Sequence, residues 1–246
     1  MAGAKFEPAY RRVVLKVSGE GLAPAGGVGL GADALRHVAN EICSAHDLGV
    51  EVAVVVGGGN LVRGASFVRQ CSIPEATAHQ MGMLATVINA LALQETLESM
   101  GASSRVLSAV HMHAVCEPYV RQDCLRHMEQ GRVVVLAGGT GRPFVTTDSA
   151  AALAALELDA DAVLKATQVE GVYTADPKVD PRAQFCARLT YDEVINQRLR
   201  VMDLSAVEMC QRKSVVIRVF NLHEPGNVKR ILMGEDVGTV VGEAAE

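Results

Sequence analysis

The chain has 246 residues, and 49% of them are hydrophobic, which is enough for a large core within one α/β unit. A net charge of −5 argues against a general nucleic-acid-binding surface, and an aromatic content of 4% argues against base-stacking platforms. The sequence shows no apolar run of the ~20 residues that span a bilayer, no signal-peptide pattern and no Cys-x-x-Cys pair. We therefore expect a cytoplasmic protein with reduced thiols and with neither nucleic acid nor membrane as a partner.

The hydrophobic pattern alternates between strand-like and helix-like segments along the chain. It predicts, in order, strand 13–17, helix 32–48, strand 50–56, helix 75–100, strand 105–110, helix 118–130, strand 132–136, an alanine-rich helix capped by Asp148 or Ser149, and strands 162–165, 215–220 and 237–241. This alternation predicts an α/β fold, a three-layer αβα sandwich around a central, mostly parallel sheet. We expect one domain over 1–246, with an ordered core of about 11–242.

Glycine-rich segments follow several predicted strands. The first strand leads into Ser18-Gly19, the second into 57–59, and the fourth into 138–141. Successive glycines lack Cβ atoms, so the backbone can approach a phosphate and direct several N–H groups at it. One such segment is explained equally well by a tight turn, but two at the ligand-binding edge of one sheet favour phosphate binding.

Three cations accompany these segments: Lys16, Arg63 and Lys165. Lys16 lies inside an apolar strand, where an unpaired charge is costly, so it needs an anionic partner such as a phosphate. Asp148 and Asp176 are candidate carboxylates for orienting lysines or magnesium, with a helix cap and a turn as their alternative roles. The sequence lacks the P-loop motif and a clustered zinc-ligand set. These residues together predict an enzyme that binds a phosphorylated nucleotide and transfers a phosphoryl group.

The same segments resemble the bacterial UMP kinases of the amino-acid-kinase superfamily, over about residues 11–242. The matching motifs are Leu-Lys-Val-Ser-Gly-Glu at 15–20, Gly-Gly-Gly-Asn-Leu-Val-Arg-Gly at 57–64, Met-Gly-Met-Leu-Ala-Thr at 81–86, Thr-Gly-Arg-Pro-Phe-Val-Thr-Thr-Asp-Ser-Ala-Ala at 140–151, Leu-Lys-Ala-Thr at 164–167, Gly-Val-Tyr-Thr-Ala-Asp-Pro at 171–177 and Val-Met-Asp-Leu at 201–204. The resemblance implies transfer of the ATP γ-phosphoryl group to UMP, giving UDP and ADP in pyrimidine nucleotide biosynthesis. It further implies magnesium carried with ATP, without an assigned protein ligand, and homohexamers activated by GTP and inhibited by UTP.

Residue roles are also implied by this resemblance. The catalytic set is Lys16 and Lys165, which neutralise the transferred phosphoryl group, and Asp148, which orients them. The implied ATP site comprises Lys16, Val17, Ser18, Gly19, Gly59, Arg63, Thr167, Tyr173 and Asp176. The implied UMP site comprises Gly58, Thr140, Gly141, Arg142, Pro143, Phe144, Val145, Thr146 and Thr147.

Two positions depart from the family pattern. His79 stands where relatives usually carry an aspartate that contacts UMP; we expect it to contact the ribose or the phosphate, or else to face solvent. The segment 24–29, linked to GTP activation, lacks the aromatic residue of some relatives. Two other functions remain open: a sister kinase of an amino-acid carboxylate, or a non-catalytic nucleotide or oxyanion storage protein. The segment 140–148 favours a nucleotide acceptor, and Lys16 with Asp148 favours catalysis.

Overall fold

A computed structural model describes residues 7–62, 72–176 and 179–243. Its strands are β1 (Arg12–Val17), β2 (Glu51–Val56), β3 (Ser104–Ser108), β4 (Glu117–Pro118), β5 (Val133–Ala137), β6 (Ala162–Thr167), β7 (Val172–Tyr173), β8 (Phe185–Cys186), β9 (Arg188–Thr190), β10 (Val216–Asn221) and β11 (Thr239–Gly242). Nine of these form one sheet in the order β4-β3-β5-β2-β1-β6-β10-β11-β9, whereas β7 and β8 form a separate two-stranded sheet.

The nine-stranded sheet is mostly parallel, as the alternating pattern predicted. Its neighbouring strands pair in parallel except for β10 and β11, which are antiparallel. Strand β1 lies between β2 and β6, so the carboxyl ends of these three strands meet at one edge of the sheet. This order brings the glycine-rich segment after β1 beside the one after β2.

Helices cover both faces of the sheet. They are α1 (Ala32–His46), α2 (Glu75–Ser99), α3 (Arg121–Glu129), α4 (Thr147–Glu157), α5 (Tyr191–Gln197), α6 (Leu204–Gln211) and α7 (Asn227–Leu232). The apolar sides of α1, α2 and α7 pack into one core, and those of α3 to α6 pack into a second core across the sheet. The predicted three-layer αβα architecture is therefore confirmed. Among the described residues, no helix is long and apolar enough to cross a membrane.

The segment predicted as helix 118–130 differs from the structure at its start. Pro118 belongs to β4, and the helix begins only at Arg121. Strand β4 is the edge of the sheet. Proline is tolerated there because an edge strand does not need every backbone N–H for pairing. The other predicted elements end within a few residues of their observed bounds, whereas β7 to β9 and α5 to α7 were not predicted.

Candidate active site

The register of the two central strands places two lysines side by side. In the parallel pairing of β1 with β6, Lys16 lies opposite Lys165. Side chains alternate between the faces of a strand, so Lys16 shares its face with Val14, and Lys165 shares its face with Val163. Both valines belong to the core beneath α3 to α6. The two ammonium groups therefore lie on the side of the sheet that α4 covers.

Helix α4 brings a carboxylate to these lysines. Its buried face consists largely of alanines, whose small side chains let the helix approach the sheet closely. Asp148, in the first turn, lies with Oδ1 2.9 Å from Lys16 Nζ, an ion-pair contact without hydrogen-bond geometry. Its Oδ2 accepts a hydrogen bond of 2.7 Å from Lys165 Nζ. One carboxylate thus bridges two lysines of adjacent strands.

The helix cap was predicted wrongly at Asp148 or Ser149. Thr146 is the N-cap of α4, and its hydroxyl accepts from the backbone N–H of Ser149 at 3.3 Å. The Thr146 hydroxyl also donates to the carboxylate of Asp203, which precedes α6. Because a threonine supplies the cap, the carboxylate of Asp148 is left to the lysines.

Burial governs the electrostatics of this cluster. The exposed fractions of the Lys16, Asp148 and Lys165 side chains are 10%, 13% and 15%. Burial by itself raises the pKa of Asp148, but the charges of Lys16 and Lys165 outweigh it and hold that pKa below its usual range. Burial, reinforced by the charge of Lys16, lowers the pKa of Lys165 against the opposing attraction of Asp148. An anion placed between the lysines would relieve their mutual repulsion.

The glycine segments after β1 and β2 pack directly against each other. The N–H of Gly57 donates to the carbonyl oxygen of Val17 at 2.8 Å. A Cβ on Gly19 would lie 2.6 Å from the backbone nitrogen of Gly59, a distance that real side chains do not tolerate. The side chain of Val17 is fully buried, so only its backbone can face a ligand. The two predicted phosphate-binding segments therefore form one surface.

Asn89 of α2 is a residue that the sequence analysis missed. It is fully buried, and it exchanges amide hydrogen bonds of 2.7 and 3.1 Å with Asn60. Its amide also donates to the carbonyl oxygen of Gly57 at 2.6 Å. Asn89 thus fixes the second glycine segment to the long helix. An amide on the largely apolar buried face of a predicted helix was the available signal.

A cavity of about 340 Å³ opens beside this surface, between the start of α2 and the loop before α4. Its lining residues are Gly58, Gly59, Val62, Ala78, His79, Gly82, Met83, Thr86, Gly139, Val145, Thr146 and Thr147. We call it the acceptor cavity. A Cβ on Gly58 would lie 2.6 Å from the carbonyl oxygen of Gly82, so this wall requires glycine. Of the predicted UMP-binding residues, Gly58 and 145–147 are brought together here.

Thr140 lines a second cavity, of about 170 Å³, together with Tyr119 and Glu157. Its hydroxyl is buried and has no hydrogen-bond partner among the described residues. A buried hydroxyl without a partner is costly, which favours a ligand at this position. Gly139 lines both cavities, so they are adjacent. The predicted residues 141–144 lie in the same loop but line neither cavity.

The residues predicted for the adenosine side of ATP follow β6. Tyr173 and Asp176 line a cavity of about 620 Å³ next to the β7–β8 hairpin. Thr167 does not line it; its hydroxyl lies 2.7 Å and 3.0 Å from the carbonyl oxygens of Val169 and Phe220 and holds the turn after β6. Arg63, also predicted for ATP, lies outside the described residues.

Comparisons with known proteins identify the family of this chain. Residues 11–221 match the amino acid kinase family. A uridylate kinase of Methylococcus capsulatus is 50% identical over 235 residues, which are 96% of this chain and 98% of that protein. The UMP kinase of Bacillus anthracis superposes with a TM-score of 0.93 at 40% identity, over 96% of this chain and 97% of that chain. For the UMP kinase of Ureaplasma parvum, the TM-score is 0.88 at 31% identity, over 95% and 99% of the two chains. Because these matches cover nearly the whole sequence, the chain belongs to the amino acid kinase family and, within it, to the uridylate kinases.

Proposed function

We propose that this chain transfers the γ-phosphoryl group of ATP to UMP and releases UDP and ADP, in pyrimidine nucleotide biosynthesis. The bridging of Lys16 and Lys165 by Asp148, beside a glycine-lined cavity, is the observation that carries the proposal. The acceptor is taken from the relatives, which are named uridylate kinase and UMP kinase.

The proposed mechanism uses positioning and charge neutralisation. The phosphate of UMP is mostly ionised at neutral pH, so its oxygen is already nucleophilic and a general base is unnecessary. The enzyme must instead hold two repelling anions in line and offset the charge that gathers between them. Lys16 and Lys165 supply that positive charge, and Asp148 fixes where their ammonium groups point. The backbone N–H groups of the glycine segments bind the phosphates.

The two substrates are assigned to opposite sides of the lysine pair. We place UMP in the acceptor cavity against Gly58, Thr146 and Thr147. The two threonines directly precede Asp148 in the chain. We place the ATP phosphates on residues 16–19 and Gly59, with the adenosine toward the Tyr173 cavity. The hydroxyl of Thr140, which lacks a hydrogen-bond partner in the described part of the chain, supports a polar ligand group next to the acceptor cavity.

Magnesium is proposed to arrive with ATP. Both oxygens of Asp148 face lysines, and Asp203 accepts from the Thr146 hydroxyl. Asp148 is therefore better suited to orienting the two lysines, and Asp203 to fixing the Thr146 cap, than either is to binding a metal ion. An ion bound with ATP would neutralise part of the charge on the ATP phosphates.

An acceptor panel tests the proposed function. Purified protein is given Mg-ATP with UMP, CMP, aspartate or acetylglutamate, and ADP release is measured. UMP should be phosphorylated far better than CMP, because a base edge held in a buried site loses hydrogen bonds when its polar groups change. Faster turnover of an amino acid would indicate a sister kinase. Nucleotide binding without turnover of any acceptor would indicate a storage protein.

Self-association is proposed through α2. Two of its apolar side chains, Leu84 and Ile88, are exposed by 45% and 52% and lie one turn apart. Exposed apolar pairs on a helix suit a subunit contact. Light scattering at micromolar concentration should give a multiple of the 26.0 kDa chain mass, up to the homohexamer that the family resemblance implies. Ile88→Glu should lower that mass, whereas Val28→Glu, at an exposed valine outside the helix, should not. A monomeric wild-type protein would contradict the proposal.

GTP activation and UTP inhibition are proposed on the family resemblance alone. Initial rates of UDP formation with and without each nucleotide test them. The cytoplasmic location and the single-domain organisation stay predictions from the sequence.

A further inference from the structure

The side chain of His79 holds the loop that precedes α4. Its Nδ1 accepts a hydrogen bond of 3.0 Å from the backbone N–H of Phe144. The two rings also pack against each other, with centroids 4.9 Å apart and planes tilted by 38°. Helix α2, which carries His79, is thereby fastened to the loop between β5 and α4.

Phe144 needs such support. Its φ angle is +66°, in the left-handed region that is unfavourable for a residue with a side chain. Its side chain is also 64% exposed, so burial in the core does not fix it. The hydrogen bond and the ring contact from His79 act on both the backbone and the side chain of this residue. His79 therefore supports the conformation of this loop at its strained residue.

The loop in turn shapes the acceptor cavity. Phe144 directly precedes Val145 and Thr146, which line the cavity with His79 itself. Thr146 caps α4, whose first turn carries Asp148. A displacement of Phe144 would therefore move the cavity wall at Val145 first. It would affect the carboxylate of Asp148 only through Thr146, the N-cap of α4.

We propose that His79 is a positioning residue for the phosphoryl acceptor, acting through the Phe144 amide rather than by holding the substrate directly. This inference rests on the proposed function, in which the acceptor is UMP. With Nδ1 engaged as an acceptor, a neutral imidazole carries its hydrogen on Nε2. Nε2 lies 3.7 Å from Oε1 of Glu75, one helical turn earlier. Among the described residues that line the cavity, His79 is the one titratable side chain.

Three substitutions of His79 distinguish the role of Nδ1 from that of Nε2. His79→Asn places an amide oxygen near the position of Nδ1, whereas His79→Gln places its amide near Nε2. His79→Ala removes both. We expect His79→Ala and His79→Gln to raise KM for UMP about tenfold, the loss of one hydrogen bond and one ring contact. We expect His79→Asn, which loses only the ring contact, to stay within about threefold of wild type. KM for ATP and kcat should change less than KM for UMP in all three variants.

Amide hydrogen exchange of the ligand-free protein measures the contact itself. Protection of the Phe144 N–H should fall in His79→Ala and His79→Gln and persist in His79→Asn. This measurement does not depend on which acceptor the enzyme uses. A failure of the proposed function would therefore not be mistaken for a failure of the contact between His79 and Phe144. Thermal unfolding shows whether each variant is folded, and Glu75→Gln serves as the control that should leave both measurements unchanged.

Two outcomes would overturn the proposal. A normal KM in His79→Gln with a raised KM in His79→Asn would show direct contact through Nε2. An unchanged KM for UMP in all three variants, whatever the amide hydrogen exchange of Phe144, would show that the His79–Phe144 contact does not position the acceptor.

Discussion

Lys16→Ala should lower kcat for UMP phosphorylation by about 10²–10³-fold, the range for losing one preorganised charge at a transition state. Lys16 belongs to the central strand β1, and its ammonium group lies 2.9 Å from Oδ1 of Asp148. It is thus fixed before substrate binds, and water cannot replace it in the same position. Steady-state ADP release at saturating ATP and UMP measures the effect.

Two further variants make this result specific. Lys16→Arg should not restore kcat, because a planar guanidinium cannot take the position of a compact ammonium beside Asp148. Lys213→Ala removes an exposed lysine after α6 and should leave kcat unchanged. Normal turnover by a folded Lys16→Ala protein would mean that the lysine pair is not the phosphoryl-transfer site.

The sequence predicted the need for a partner at Lys16 but not the whole arrangement. A lysine within an apolar strand indicated an anion, and the structure shows that Asp148 is its resident partner. The pairing of Lys16 with Lys165 depends on which strands are neighbours and on their register. Both are non-local properties, and no pattern within either strand encodes them.

The long elements were predictable for a physical reason. Helix α1 repeats its apolar spacing over enough residues to show the helical period. Strands β1 and β2 are short, continuous apolar runs rich in β-branched valine, which favours buried strands. The short elements after β6 have too few residues for that, and their stability comes from tertiary packing. Helix α5 was nevertheless marked locally, because Thr190 and Glu193 form a capping box.

The start of α4 shows the limit of such local signals. The stretch 146–149 reads Thr-Thr-Asp-Ser, so every residue in it is able to cap a helix. Only the backbone dihedral angles decide among them, and they select Thr146, which is extended. The Asn89–Asn60 pair is equally non-local, since it forms only when the second glycine segment meets the long helix.

Lys165→Met should lower kcat by about 10²–10³-fold, as for Lys16, while making the ligand-free protein more stable, because it leaves one lysine paired with Asp148 in place of two buried lysines that share it. Burial lowers the pKa of Lys165, so the folded protein holds this proton less tightly than the unfolded chain does. At neutral pH, the charged side chain is therefore a destabilising contribution. This destabilising contribution disappears only as the pH rises through the pKa of Lys165 in the folded protein to that of an unfolded lysine, ~10.4. Methionine fills similar space without a charge to desolvate.

We expect a rise in Tm at pH 7.5 of about 2–4 °C, the shift that ~1 kcal/mol produces in a chain of this size. The difference from wild type should shrink as the pH rises through the lowered pKa of Lys165, because the wild-type side chain then loses its proton. Asp148→Asn provides the opposite case. The pKa of Asp148 is lowered, so its carboxylate stabilises the fold above the unfolded value of ~3.9. That variant should lose activity and also melt at a lower temperature, because two ammonium groups would face each other without it. A lower Tm for Lys165→Met would show that the lysine pair stabilises the fold, and that its charge is not held in place for an anionic substrate.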